Sequence, residues 1–451
     1  MFDRALLLTL VLLSCEAQNG PLFSIVDSKR RLVNDKTKLP IVQQVPQVSR
    51  DLSLDLKDMK LPTFISDNDR VELTDQIISE FNAGLDNEDI TFSMSDLVKK
   101  YGYPIEKHQV ITKDRYNLSM YRIPNNGSAV FLMHGLLGSS DDFAVAGPES
   151  GLAYLLSDDG YDVWMGNSRG NKHSRQHLDL DPSQSAFWDF SWHEIGCYDL
   201  PAMIDYVLQA TKTSKLKYIG HSQGTTSFFV MASQRPEYNS KISLMVSLAP
   251  VAFLTHVKSP ILRLLAPGNP FFYSITQSLG VNEVLPDNSA SRVLRRLLCG
   301  VGALAKTICS NIVFLFLGLD FGQLNVTNLP VLYSHIPSGA SVKQFVHYGQ
   351  GVVSGDFKQF DYGDITNLDL YGSNVQPLYN LQNVTAPVSM FYSEADWFTD
   401  PRDLNKLYKR LGNVIDLYKV PYEQFSHLDF LIAKDFKTLI YLRLRKLLRH
   451  A

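Results

Sequence analysis

Hydrophobic and polar positions change rhythm several times along the chain. Residues 18–73 show no sustained period and carry the basic stretch "SKRRL" at 28–32, which predicts an extended leader or propeptide, or a surface arm wrapped on the domain. From Ser95 onward the pattern is orderly. "EKHQVITKDRYNLSMYRIP" alternates about a polar turn at 113–115 and predicts an antiparallel hairpin. "AVFLMHG" (129–135) is short and apolar up to its last two residues, as a strand covered on both faces must be, and "YDVWMGNSRG" (161–170) repeats that pattern. "WHEIGCYDLPAMIDYVLQA" (192–210) has apolar residues at helical spacing. "LKYIG" (216–220) reads as a strand and "TTSFFVMASQ" after it as a helix. "ISLMVSLAP" (242–250), "PVSMFYSEAD" (387–396) and "NVIDLYKVP" (413–421) predict further buried strands. Strands alternating with helices imply a mostly parallel central sheet with helices on both faces, an α/β class.

This rhythm stops between about 251 and 384, where Leu, Phe, Pro and Gly dominate without a strand repeat; such an insert within a sheet protein predicts a cap or lid. Within it, "LLCGVGALAKTICSNIVFLFLGL" (297–319) approaches the length and apolarity of a membrane span. Lys306, Asn311 and the expected Cys299–Cys309 bridge argue against spanning. At the N-terminus, Arg4 precedes an apolar run from Ala5 to Leu13 and small or polar residues ending near Ala17. That is the layout of a secretory signal peptide, although Asp3 weakens its basic end. The expected division is therefore a signal peptide at 1–17, a leader at 18–73, core at 74–250, cap or lid at 251–384 and core again at 385–451.

Export implies an oxidising compartment, extracellular or lysosomal. Of the 4 cysteines, Cys15 would leave with the signal; Cys299 and Cys309 close a short loop and are the expected disulfide, leaving Cys197 as a buried thiol in a helical pattern. Asn117, Asn126, Asn325 and Asn383 each begin an N-glycosylation sequon, which suits the same compartment. The 451 residues, 45% of them hydrophobic, suffice for a large core, and a net charge of -3 points to no nucleic-acid partner.

The chemistry centres on "YIGHSQGTTSFFVM". Gly220-x-Ser222-x-Gly224 lies between a strand and a helix, where a turn sharp enough to demand small neighbours would lift the serine hydroxyl into the open at a helix N-terminus. A serine needs a base. Among 11 histidines, His427 in "FSHLDFLIA" falls just after the last strand and before the last helix, at the sheet edge where Ser222 emerges. His221 reads as a packing or orienting residue and His134 as part of an oxyanion loop. The acid should leave the preceding strand: Asp396 in "MFYSEADWFTDP" does so directly, Glu394 is the alternative, and Asp400 before Pro401 reads as a helix cap. The order Ser222, Asp396, His427 is that of the α/β-hydrolase fold. The backbone N–H groups of Gln223 and of Leu136, after the turn at His134-Gly135, are the expected oxyanion donors.

These stretches, with "VFLMHGLLGSSDDF", "GYDVWMGNSRGNKHSRQH", "FWDFSWHEIGCYDLPAMIDYV" and "SLAPVAFLTH", resemble the acid lipase family, which includes gastric lipase and lysosomal acid lipase; the resemblance runs from about Ser95 to about Arg445. It implies an α/β-hydrolase core with a cap and lid, hydrolysis of triacylglycerols and in some members cholesteryl esters, and a triad at Ser222, Asp396 and His427. It also implies an oxyanion pair at Leu136 and Gln223 and a disulfide like Cys299/Cys309. The acid loop "SEADWFTDP" departs from the glycine-richer approach common in relatives. No metal or organic cofactor is expected, since no HExxH or CxxC cluster occurs. The expected partners are a neutral lipid substrate and a transient lipid–water interface. The competing readings are a carboxylesterase on smaller esters and a non-catalytic lipid-binding protein on the same scaffold.

Overall fold

The computed structural model describes residues 86–259, 278–285 and 322–451, with isolated positions between 79 and 84, between 262 and 276, and at Asp320. The expected signal peptide and leader, the apolar stretch 297–319, Cys299 and Cys309 lie outside the described residues.

The strands, in chain order, are β1 (Glu106–Ile111), β2 (Asn117–Ile123), β3 (Ala129–Met133), β4 (Asp162–Gly166), β5 (Leu216–His221), β6 (Ile242–Leu248), β7 (Glu283–Val284), β8 (Ala340–Ser341), β9 (Val388–Tyr392) and β10 (Val414–Lys419). Eight of them form one sheet in the order β1-β2-β4-β3-β5-β6-β9-β10, and β7 pairs only with β8. β1 and β2 form the expected antiparallel hairpin, and β2 also runs antiparallel to β4. From β4 to β10 every pairing is parallel. Between Leu248 and Val388 the described residues add no strand to this sheet.

The two-residue period of a strand sends neighbouring side chains to opposite faces, and both faces are covered. Along β3, Phe131 and Met133 join one core with Met203, Phe228 and Leu407, while Val130 and Leu132 join another with Leu156, Phe430 and Leu444. One face is thereby closed by the helices Leu200–Thr211, Gln223–Gln234 and Pro401–Arg410, the other by Met94–Lys100, Leu152–Asp158, Asp429–Ile432 and Leu442–His450. β10 departs from the expectation of a buried strand. It is the outermost strand and alternates half-buried with exposed positions, Ile415 being 55% exposed, because only one face and one edge are covered.

The turn after β4 is fixed by Arg169, one of the largest fully buried side chains. Its backbone N–H and Nε donate to Asp199 at 3.0 and 2.7 Å, its two Nη groups reach Asp114 at 2.5 and 2.9 Å, and its guanidinium lies 4.0 Å from the Tyr116 ring centroid. The β1–β2 turn, the β4 turn and the long helix on one face thus meet at one cation. Replacing it leaves two carboxylates uncompensated. Arg169→Met is expected to lower stability by about 3–5 kcal/mol, read as a drop in the denaturant midpoint; a change below about 1 kcal/mol would contradict this role.

Candidate active site

Ser222 ends β5 and starts the helix Gln223–Gln234 with φ 51° and ψ −116°, a left-handed-side conformation that non-glycine residues rarely adopt. Such a residue costs on the order of 1–3 kcal/mol and persists only where its surroundings hold it. Here they do. The Ser222 N–H donates to Leu248 O of β6 at 3.0 Å, and its carbonyl accepts from Thr225 N, Thr226 N and Thr225 Oγ1 at 2.9, 3.3 and 2.6 Å. Both threonines then grip the segment after β6, through Val251 N to Thr225 Oγ1 at 2.9 Å and Thr226 Oγ1 to Val251 O at 2.7 Å. The two flanking glycines are required by contact. A Cβ on Gly220 would stand 2.8 Å from Gly224 C, and one on Gly224 would stand 2.3 Å from Met133 O. Helix start, β5 and β3 approach too closely for any side chain between them.

His427 lies in the loop after β10, 2% exposed, with Nδ1 donating to Asp396 at 3.0 and 2.8 Å from its two oxygens. This bond puts the proton on Nδ1 and leaves Nε2 as an acceptor. Burial pushes the Asp396 carboxyl up, but the His427 ring and the N–H groups of Phe398 and Thr399, at 2.7 and 3.0 Å, outweigh it and hold the acid below its usual value. Ser393 Oγ donates to Phe425 O at 2.5 Å, so the acid-bearing and histidine-bearing loops are also joined directly. Glu394, the alternative acid, is exposed and paired with Lys419 at 2.8 Å. Asp400 caps the helix Pro401–Arg410 through Arg402 N.

His221 couples this loop to the serine turn: its Nε2 donates to the His427 carbonyl at 3.1 Å, with the two rings 4.9 Å apart. Burial, reinforced by the neighbouring His427, lowers its pKa to about 3, so it is neutral. Across from Ser222, β3 ends in the turn from Gly135 to Gly138. A Cβ on Gly135 would lie 3.1 Å from Ser222 Cβ and 3.5 Å from its Oγ, so this backbone faces the hydroxyl at close range. The turn is closed by Gly138 N to Gly135 O at 3.1 Å and leaves Leu137 at φ 62°. Leu136 N–H sits in this turn, and Gln223 N–H in the first helical turn, where no intrahelical carbonyl can take it. The pair can receive negative charge developing on an oxygen beside Ser222.

His134, expected in this loop, braces the turn together with polar residues that the sequence did not single out. His134 Nδ1 donates to Gly135 O at 2.8 Å and its Nε2 accepts from Ser168 N at 3.1 Å; burial lowers its pKa to about 4. Asn171 bridges His134 and Asn167, and Asn167 Oδ1 accepts from Ser140 N at 2.9 Å. Asp141 is buried against Lys172 at 2.8 Å, His173 at 2.7 Å and His335 at 2.8 Å. Burial pushes it up, yet Lys172 and His173 hold it well below its usual value. Its neighbour Asp142 has no cation in bonding range among the described residues, and burial raises it to about 7. The signal was present in "GSSDDF" and "GNSRGNKH": runs of polar residues at the ends of apolar strands.

Asn126 and Asn325 are exposed, whereas the amides of Asn117 and Asn383 donate to Gln176 and to Ser233 O. Cys197 is a free thiol, half-buried, with Sγ 3.6 Å from His193 Nε2, and burial raises its pKa to about 12. Among the described residues no group of three His, Cys, Asp or Glu side chains is placed to hold a metal ion, and no helix is long and apolar enough to cross a membrane.

Comparison with known proteins places the chain among hydrolases. Residues 128–275 match the model of the alpha/beta hydrolase fold, and residues 94–147 match that of a partial alpha/beta-hydrolase lipase region. Lipase 1 of Drosophila melanogaster is 43% identical over 80% of this chain and 80% of its own. Gastric triacylglycerol lipase of Bos taurus is 38% identical over 79% of this chain and 90% of its own. A solved structure of a putative lipase from Sulfolobus solfataricus superposes with a TM-score of 0.50 at 11% identity, covering 77% of this chain and 93% of that one.

The steric closure at the serine turn yields a direct test. Gly224→Ala forces backbone atoms of β3 and the helix apart, and is expected to cost about 2–3 kcal/mol in urea unfolding. A neutral effect would mean that the two backbones do not pack as closely as their 2.3 Å virtual contact requires.

Proposed function

Since the chain belongs to the acid lipase family of α/β hydrolases, we propose that it hydrolyses triacylglycerols, with sterol esters as a second substrate class, through Ser222, His427 and Asp396. It is a serine lipase, a carboxylic ester hydrolase. The observation that carries the residue assignment is the doubly contacted His427–Asp396 pair, whose loop is tied through His221 to the strained turn presenting Ser222.

In this reading His427 Nε2 takes the Ser222 proton as Oγ attacks the ester carbonyl. Asp396 fixes the tautomer and stabilises the imidazolium that forms. The oxyanion rests on Leu136 and Gln223 N–H, and the collapse of the tetrahedral intermediate expels the alcohol, protonated by His427, to leave an acyl-serine. Water, activated by the same histidine, releases the fatty acid. The insertion at 251–384 forms the cap over this centre, and its apolar composition suits an acyl chain at a lipid–water interface. The apolar N-terminal run and the exposed sequons at Asn126 and Asn325 favour a secreted or lysosomal glycoprotein with a Cys299–Cys309 bridge.

Two predictions follow from the assignment. Ser222→Ala should remove turnover and fluorophosphonate labelling while leaving fold and export intact; labelling that persists would refute the nucleophile. Asp396→Asn should lower kcat by about 10⁴-fold, and Glu394→Gln should leave it unchanged; the reverse pattern would transfer the acid role to Glu394. The substrate class is tested by hydrolysis of a trioleoylglycerol emulsion against a soluble short-chain ester. Turnover rising at the emulsion supports a lipase, and turnover confined to the soluble ester would make the chain a carboxylesterase.

A further inference from the structure

A second acidic cluster adjoins the loop that carries His427. Asp429, two residues beyond the histidine, is 2% exposed, and its Oδ2 accepts from Ser426 N at 2.5 Å. Its carboxyl also comes within hydrogen-bonding reach of that of Asp320, near the middle of the inserted segment. Asp320 is 3% exposed; its Oδ1 accepts from Gly322 N at 2.8 Å and Gln323 N at 3.3 Å, and its Oδ2 is buried with no N–H or hydroxyl donor among the described residues. Two carboxyls are both acceptors when ionised, so a bond between them exists only while one carries a proton. The buried Oδ2 of Asp320 is then the acceptor that this proton satisfies.

Among the described residues, the groups set against the pair are a hydroxyl and a third acid. Tyr422 places its hydroxyl 3.5 Å from Asp320 Oδ1, and Asp435 approaches through Gln323, whose Nε2 donates to it at 3.0 Å. The groups that act most strongly on either carboxyl include no cation. Resting on the reading of His427 as the base, we infer that Asp429 is a positioning residue for His427, acting through a proton that it shares with Asp320 and that ties the insertion to the histidine loop. Burial and the neighbouring Asp320 raise the Asp429 carboxyl to about 7. A raised acid contributes its stability fully below its unfolded value of about 4 and loses it as pH climbs through the folded value. The clasp is therefore closed in acid and opens above about pH 7, when two adjacent buried carboxylates repel.

Asparagine at position 429 mimics the protonated acid permanently: its amide donates to Asp320 and its oxygen still accepts from Ser426 N. The experiment compares the wild type with Asp429→Asn, Asp429→Ala and Asp320→Asn, following kcat/KM on a soluble ester from about pH 5 to 9 and the thermal midpoint over the same range. The expected result is an alkaline limb in the wild type that moves up by about one pH unit, a tenfold gain, in either asparagine variant. Asp429→Ala should lose activity throughout, with Asn rescuing it. The wild-type thermal midpoint should fall from about pH 5 to about 7 more steeply than that of Asp429→Asn, and level off above. Identical limbs and identical thermal profiles in the wild type and both asparagine variants would overturn the proposal. Folded protein inert toward every ester would sink the hydrolase reading instead, and the thermal comparison would still decide the clasp. Should Asp429→Asn not fold, Asp320→Asn carries the same comparison.

Discussion

The contact of Gly224 with the Met133 carbonyl sets how close the serine helix can come to the centre of the sheet. Because β3 and β5 are paired neighbours, a helix starting directly off β5 can seat its first turn over the end of β3 only if nothing protrudes between them. Glycine at 224 allows that approach, and glycine at 220 allows the chain to fold back on itself. Ser222 absorbs the remaining geometry as a positive φ. The strain is about 1–3 kcal/mol, and the hydrogen bonds on the Ser222 backbone, each worth about 0.5–1.5 kcal/mol, are enough to offset it. A further consequence follows from the same approach: Gly135 faces the hydroxyl.

Three histidines surround this turn, and their surroundings separate them. His134 and His221 each donate one ring proton to a backbone carbonyl and are buried without a carboxylate partner, so burial holds them neutral. Only His427 has an ionised acid aligned on Nδ1. A proton taken by Nε2 produces an imidazolium, which in such a buried place is tolerable only beside a negative charge. Within the proposed triad, burial and pairing favour His427 as the base by energy, not by proximity alone; the other two rings donate bonds that hold the Gly135 turn and the His427 loop.

Much of this was legible in the sequence, for a physical reason. Strands buried on both faces are continuous apolar runs, and a sharp strand-to-helix turn requires glycine at fixed spacing, so β3, β4, β5, β6, β9 and the serine turn announce themselves locally. The order of Ser222, Asp396 and His427 could likewise be read from which strand each follows. The alternation of β10 is masked by Ile415 and Leu417, apolar residues at its exposed positions, so its sequence reads as a buried strand; its edge position is a property of the whole sheet. The supports were harder to see. Polar runs at strand ends mark Asp141, Asn167 and Asn171 locally, but their partner His335 comes from a distant part of the chain, and only the fold makes the group a buried network. The Asp320–Asp429 pair likewise joins distant parts of the chain and is visible only once the insertion is folded against the histidine loop.

The insertion is more than a cover. Ser338 N donates to Leu137 O at 2.8 Å, Lys172 donates from its backbone to Ser338 O and from Nζ to His335 O, and Asn328 reaches Val145 O at 2.8 Å. The stretch 322–341 therefore holds the Gly135–Gly138 turn from one side, while Asp320 and Gln323 hold the end of the histidine loop and the chain after it from another. A lipid ester needs an entrance to Ser222, which is only 8% exposed. In the proposed mechanism, displacing 322–341 would release the Gly135–Gly138 turn beside the Ser222 hydroxyl, so this stretch has to stay in place while an ester enters.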